Sequence, residues 1–109
     1  MDESTVYING LFTPLRNAKI SILDRGFCYG DGLFETLRAS NGQIFYIEQH
    51  IDRLFDSLQQ VLIELPMTRL ELTKAVKETL ARNKYKNAII RLMVTRGDTE
   101  SNIQIDSKI

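Results

Sequence analysis

The sequence predicts an α+β domain: a mostly antiparallel sheet with two helices packed on it. Three observations predict it. Asn9-Gly10 and Asn41-Gly42 each sit between short β-branched or aromatic runs, as in tight two-residue hairpins. Between residues 47 and 83, apolar side chains recur at three- and four-residue intervals, the spacing of amphipathic helices. Ala88 to Thr95 then has the length and composition of a strand, completing the order strand, strand, helix, helix, strand.

Each element follows from its residues. Thr5-Val6-Tyr7-Ile8 and Leu11-Phe12-Thr13 form the first hairpin, and Pro14 closes it because proline has no amide to give to a ladder. Ile20 to Leu23 reads as a short strand or bridge. From Asp24 to Gly32 the chain changes character, with three glycines in seven residues opening conformations closed to other side chains. Cys28, within this loop, reads as a small buried residue. Leu33 to Ala39 follows as a strand, pairing with Gln43-Ile44-Phe45-Tyr46 across the second Asn-Gly turn. Ile51, Leu54, Phe55, Leu58, Val61 and Leu62 make the apolar stripe of the first helix, and Pro66 marks its end or the loop after it. A second helix is expected from about Arg69 to Asn83, with Leu70, Leu72, Ala75, Val76 and Leu80 inward. Arg96-Gly97 stops the last strand. Residues 5–97 therefore form one domain, and 98–109 a polar tail with little to bury.

Composition bounds the function. A chain of 109 residues holds one modest core. Its 14 basic and 14 acidic side chains cancel, which argues against electrostatic capture of nucleic acid or a membrane surface. No apolar run approaches the roughly 20 residues that span a bilayer, and Met1-Asp2-Glu3-Ser4 lacks the character of a signal peptide. One cysteine forms no internal disulfide, as suits a reducing compartment. A soluble cytoplasmic protein without a metal site is expected.

Chemistry concentrates in the glycine loop and in the helix that begins near Ile47. His50 and Arg53 lie three apart and share a helix face. Arginine offers a planar fork of donors to a phosphate or carboxylate and keeps its charge at physiological pH. The plainer alternative is a solvated surface pair, with Arg53 contacting Glu48, Gln49 or Asp56. Phe34 alternates with Leu33 along a strand, so one of the two faces the core. Tyr29 packs the loop or lines a site. Arg38 and Arg91 are surface charges or carboxylate ligands. Glu35 can orient a polar group.

Taken together, Asp24-Arg25-Gly26, Tyr29-Gly30-Asp31-Gly32, Phe34-Glu35, Arg38 and then His50 with Arg53-Leu54 resemble the class IV aminotransferases. These are the fold-type IV pyridoxal-phosphate enzymes, which include branched-chain and D-amino-acid aminotransferases and aminodeoxychorismate lyases. The resemblance runs from Val6 to Gly97, and its specificity lies in the combination of loop, strand and His–Arg helix at this spacing. It implies that Arg53 grips the cofactor phosphate while His50 has a supporting role. It implies that Tyr29 and Phe34 face the active site, and that Arg38 and Arg91 lie toward the substrate, Arg91 near its carboxylate. Ile89 stands where the branched-chain enzymes place a tyrosine.

The resemblance also implies what the chain does not supply. The Schiff-base lysine and the acidic partner of the pyridine nitrogen lie in the family's larger second domain. None of Lys19, Lys74, Lys77, Lys84, Lys86 and Lys108 sits in the family's lysine motif. The expectation is thus the N-terminal domain of a pyridoxal 5'-phosphate-dependent aminotransferase, inactive alone, with residues 98–109 leading toward a C-terminal domain. Its substrates would be an amino acid and a 2-oxo acid, most like those of the branched-chain group, in a homodimer. The alternatives are an aminodeoxychorismate lyase domain, which shares fold and cofactor but releases pyruvate, and a non-catalytic binding module of the same fold.

Overall fold

A computed structural model describes residues 3–98. The polar tail from residue 99 onward, Lys108 included, lies outside the described residues.

The first hairpin pairs β1 (Thr5–Ile8) with β2 (Leu11–Pro14), Thr5 opposite Pro14 and Ile8 opposite Leu11. Asn9 and Gly10 both take positive φ, as a tight primed turn requires. The second Asn-Gly pair does the same between β3 (Gly32–Ser40) and β4 (Gln43–Ile44). β5 (Ala88–Thr95) lies antiparallel on the other edge of β3, from Gly32 opposite Thr95 to Ala39 opposite Ala88. The result is a three-stranded sheet of order β4-β3-β5 beside a separate two-stranded hairpin.

Three α-helices are present among the described residues. The long ones, α2 (Ile47–Gln60) and α3 (Arg69–Asn83), are those the apolar spacing predicts. Thr68 caps α3 by accepting from the Glu71 amide at 3.0 Å, while the Glu71 carboxylate accepts from the Thr68 amide at 2.9 Å. α1 (Arg25–Tyr29) lies inside what the sequence reads as a glycine loop. Asp24 nucleates it by accepting from the amides of Gly26 and Phe27, and Gly30 ends it at φ +68°. Ile20 to Leu23 is irregular chain ending in a turn at Ile22 and Leu23 rather than a strand, and the bridge falls one residue later, Asp24 to Asp98.

The core lies between one face of the sheet and the two long helices. Leu37 of β3 packs with Ile51, Leu54 and Leu58 of α2 and with Leu72 and Val76 of α3. Each buried aliphatic side chain contributes roughly 1.5–3 kcal/mol of transfer free energy. The hairpin is tied to α3 by Asn83, whose side-chain amide donates to the Thr5 carbonyl at 2.9 Å and accepts from the Thr5 amide at 2.8 Å.

Four side chains depart from the expected pattern. Val61 and Leu62 are exposed because α2 ends at Gln60 and Leu62 turns to positive φ, which breaks the helical phase before they reach the core. Leu70 is exposed because the buried stripe of α3 runs through Leu72, Val76 and Leu80, and Leu70 is out of phase with it. Cys28 is exposed rather than buried, its thiol donating to the Ile22 carbonyl at 3.0 Å, because α1 presents that side away from the core.

Candidate functional site

Strand alternation decides which way each residue of β3 points. Leu33, Glu35, Leu37 and Ala39 face the helices, whereas Phe34, Thr36 and Arg38 face outward. Glu35 therefore enters the core layer between two leucines and is only 6% exposed. A charge there needs partners. It has three donors, all from α2. Arg53 donates from Nε to Oε2 at 2.8 Å and from Nη2 to Oε1 at 2.7 Å. His50 Nδ1 lies 2.7 Å from the same Oε1. With Glu35 ionised, that nitrogen must carry the proton.

The electrostatics follow. The Arg53 guanidinium holds the Glu35 carboxyl down at about 2, against an opposing push from burial, and His50 lowers it further. The Arg53 pKa moves up, because Glu35 stabilises its charged form. The Arg53 side chain remains 69% exposed, and Nη1 has no partner among the described residues. One edge of the guanidinium is thus bound and the other faces solvent. The surface pairing with Glu48, Gln49 or Asp56 weighed from sequence is not what forms: the partner is Glu35, 18 positions away.

The outward face of the sheet gathers three of the other candidates. Phe34, Arg38 and Arg91 are all exposed there, and the Arg91 guanidinium lies over the Phe34 ring at 4.8 Å from its centroid. Register puts Met93 opposite Phe34, Arg91 opposite Thr36 and Ile89 opposite Arg38. The face is apolar with two basic groups, and among the described residues no element covers it. Leu33 takes the core position of the Leu33–Phe34 pair, and Phe34 is 56% exposed. Tyr29, 77% exposed at the end of α1, is not brought into ring contact with Phe34 among the described residues. Arg53 also stands apart from Phe34 and Arg91, since α2 packs on the opposite face of β3.

A second arginine holds the loop in place. Arg96 Nε donates to Asp31 Oδ2 at 2.7 Å, while Nη2 and Nη1 donate to the carbonyls of Val61 and Leu62 at 2.9 and 3.2 Å. It joins the glycine loop to the C-terminal end of α2, where free carbonyls favour a cation. Thr95 donates to Asp24 at 2.7 Å, and a Cβ at Gly26 would collide with the Thr95 side chain. Asp24 and Gly26 thus seat α1 against β5, while Asp31 is held by Arg96.

Sequence reasoning missed the centrality of Glu35, although a signal was present. Glu35 lies in phase with Leu33 and Leu37, so its alternation places a carboxylate on the core face. The Arg96–Asp31 link spans 65 positions and carried no local signal.

Known proteins share this arrangement of strand and helix. The family model described as amino-transferase class IV matches residues 32–108. A Methanocaldococcus jannaschii protein assigned as a branched-chain-amino-acid aminotransferase is 47% identical over 92 residues, covering 84% of this chain and 32% of that protein. The D-alanine aminotransferase of Staphylococcus haemolyticus is 38% identical over 92 residues, with 84% and 33% covered. Among solved structures, the branched-chain aminotransferase of the archaeon Thermoproteus uzoniensis, crystallised with norvaline, superposes with a TM-score of 0.80 at 29% identity. The match covers 97% of this chain and 36% of that one. Another branched-chain amino acid aminotransferase, with a TM-score of 0.80 at 31% identity over 87% of this chain, has been crystallised with N-(5'-phosphopyridoxyl)-L-glutamate and with pyridoxamine 5'-phosphate. The chain spans about a third of the length of the relatives it matches. The family match extends over most of the sequence and takes in both β3, with its Glu35, and the His50–Arg53 helix, so the chain belongs to the class IV aminotransferases.

Proposed function

We propose that this chain acts as the N-terminal domain of a pyridoxal 5'-phosphate-dependent aminotransferase that moves an amino group between an amino acid and a 2-oxo acid. On this reading residues 5–97 are the domain and residues 98–109 lead toward a second one. The observation that carries it is Arg53, fixed on one edge by a buried carboxylate and open on the other. A phosphate monoester carries nearly two negative charges near neutral pH, and an oriented guanidinium edge suits it.

The residues present fit the cofactor. Arg53 would hold its phosphate, with Glu35 and His50 behind it. Bound pyridoxal phosphate supplies an electron sink for the substrate α-carbon. The chain's own residues bind and orient. Phe34 and Tyr29 would wall the substrate side chain and exclude water, while Arg91 and Arg38 would attract its carboxylate. The branched-chain and D-alanine aminotransferases among the relatives support an amino acid as substrate, with the branched-chain group favoured by the 47% identity. A homodimer in the cytoplasm completes the reading, and the uncovered outer sheet face is consistent with a partner packed there. Among the described residues no helix is long and apolar enough to cross a membrane.

The test is a spectroscopic titration of the full-length protein that carries this chain. Arg53→Gln should weaken pyridoxal 5'-phosphate binding while leaving pyridoxal, which lacks the phosphate, nearly unaffected. Equal affinities of wild type and variant for the phosphorylated cofactor would refute the anchor.

A further inference from the structure

We infer that Glu35 is the positioning residue of the anchor, setting the direction in which Arg53 presents its free edge. This rests on the reading of Arg53 as the phosphate ligand and adds to it a residue that touches no cofactor.

An exposed arginine samples many rotamers, and it loses that freedom when it binds. Here the freedom is removed in advance. Glu35 takes Nε and Nη2 in two parallel hydrogen bonds, and because the guanidinium is a rigid planar fork, fixing one edge fixes the direction of the other. Glu35 is itself held from several sides. Its strand is paired over eight residues with β5, its side chain is buried, and His50 holds Oε1 from the preceding turn of α2. The orientation of Arg53 is therefore set by the β3–α2 packing rather than by the arginine.

A purely structural role for Glu35 explains less. An apolar residue at this position, between Leu33 and Leu37, would pack without the cost of burying a charge, and exchanging a buried ion pair as a whole for packed apolar residues is often neutral or stabilising. What the carboxylate adds is direction. Its negative charge opposes phosphate binding in principle, but it lies behind the guanidinium, and the loss of orientation outweighs the gain in attraction.

The experiment uses the full-length protein with Glu35→Gln, Arg53→Gln and the double variant. Binding of pyridoxal 5'-phosphate and of pyridoxal is measured in each by absorbance titration, with the melting temperature of the apo-protein alongside. Glu35→Gln should weaken binding of the phosphorylated cofactor about tenfold and leave pyridoxal unchanged, as expected when preorganisation is lost. The double variant should bind no more weakly than Arg53→Gln alone, because Glu35 acts through Arg53. Should the amide variant not fold, Glu35→Asp keeps the charge, shortens the reach and is read in the same way. If Glu35→Gln retains wild-type affinity while Arg53→Gln loses it, or if the two losses multiply in the double variant, the positioning role is overturned and the anchor stands. Equal loss of pyridoxal and its phosphate also overturns it, since that is general damage to the fold. If Arg53→Gln binds the cofactor as wild type does, the anchor itself falls.

Discussion

Glu35 and Arg53 meet through two parallel hydrogen bonds, 2.8 Å from Nε to Oε2 and 2.7 Å from Nη2 to Oε1, joining the inward face of β3 to α2. The carboxylate is buried and the arginine is largely exposed, so the strand holds the pair and the helix presents it.

This pair makes stability depend on acid. The Glu35 carboxyl sits at about 2 in the fold against an ordinary value of 4.5, chiefly because of Arg53. A depressed folded value means that the stabilisation is complete above the unfolded value and is lost as pH falls through the folded one. Between pH 5 and pH 2 the wild type should lose between about 1 and 3 kcal/mol through this group, after allowance for the solvent-exposed partner. Glu35→Gln should lack that component. Urea denaturation at pH 6, 4 and 3 checks it, and parallel acid slopes for the two proteins would contradict it.

A second expectation concerns the glycine loop. A Cβ at Gly32 would press on the Val94 carbonyl and the Thr95 backbone, which cannot move without breaking the β3–β5 register. Gly32→Ala should cost about 2–3 kcal/mol, as overpacking against backbone does. Gly30→Ala meets no atom within 4 Å and bears only the strain of its positive φ, roughly 1 kcal/mol. Comparing the denaturation midpoints of the two variants tests the distinction. A Gly30 variant as damaged as the Gly32 one would contradict it.

Much of this architecture was legible in the sequence, because it is written in local patterns. The two Asn-Gly turns, the bounds of α3 and the strand Ala88–Thr95 follow from spacing and turn chemistry alone. α1 was not legible. Its cap, Asp24, and its stop, Gly30, are helix signals, but five residues with two neighbouring glycines look like a loop. Val61 and Leu62 fit the helical period yet fall beyond the end of α2, where Arg96 engages their carbonyls. In the site, His50 and Arg53 stood out as a pair on one helix face. The carboxylate that joins them came from another element, and only the phase of β3 hinted at it.

Arg96 supplies a third expectation. Its side chain is 13% exposed and donates to Asp31 and to two carbonyls past the end of α2. Arg96→Ala leaves those acceptors without their charged donor and should destabilise the protein by about 2–3 kcal/mol. Arg96→Lys, whose single nitrogen cannot serve three acceptors in fork geometry, should recover less than half of that. Thermal or urea unfolding of the pair decides. Full rescue by lysine would mean that charge alone, and not the three-way bridge, holds the loop to α2.

The last expectation separates the two faces of β3. Arg91 lies over the ring of Phe34 on the outward face, whereas Arg53 binds Glu35 on the inward one. If the outward face receives the substrate, Arg91→Ala or Arg38→Ala in the full-length protein should raise KM for the amino acid several-fold and leave cofactor affinity unchanged. Phe34→Ala removes the surface on which Arg91 rests, so Phe34→Ala and Arg91→Ala should combine to less than the product of their separate effects. Arg91→Ala and Arg53→Ala share no contact and should multiply. Steady-state kinetics of the singles and doubles distinguishes these cases. Coupling between Arg91 and Arg53, with none between Arg91 and Phe34, would place the substrate on the inward side of the strand and remove the outward face from the site.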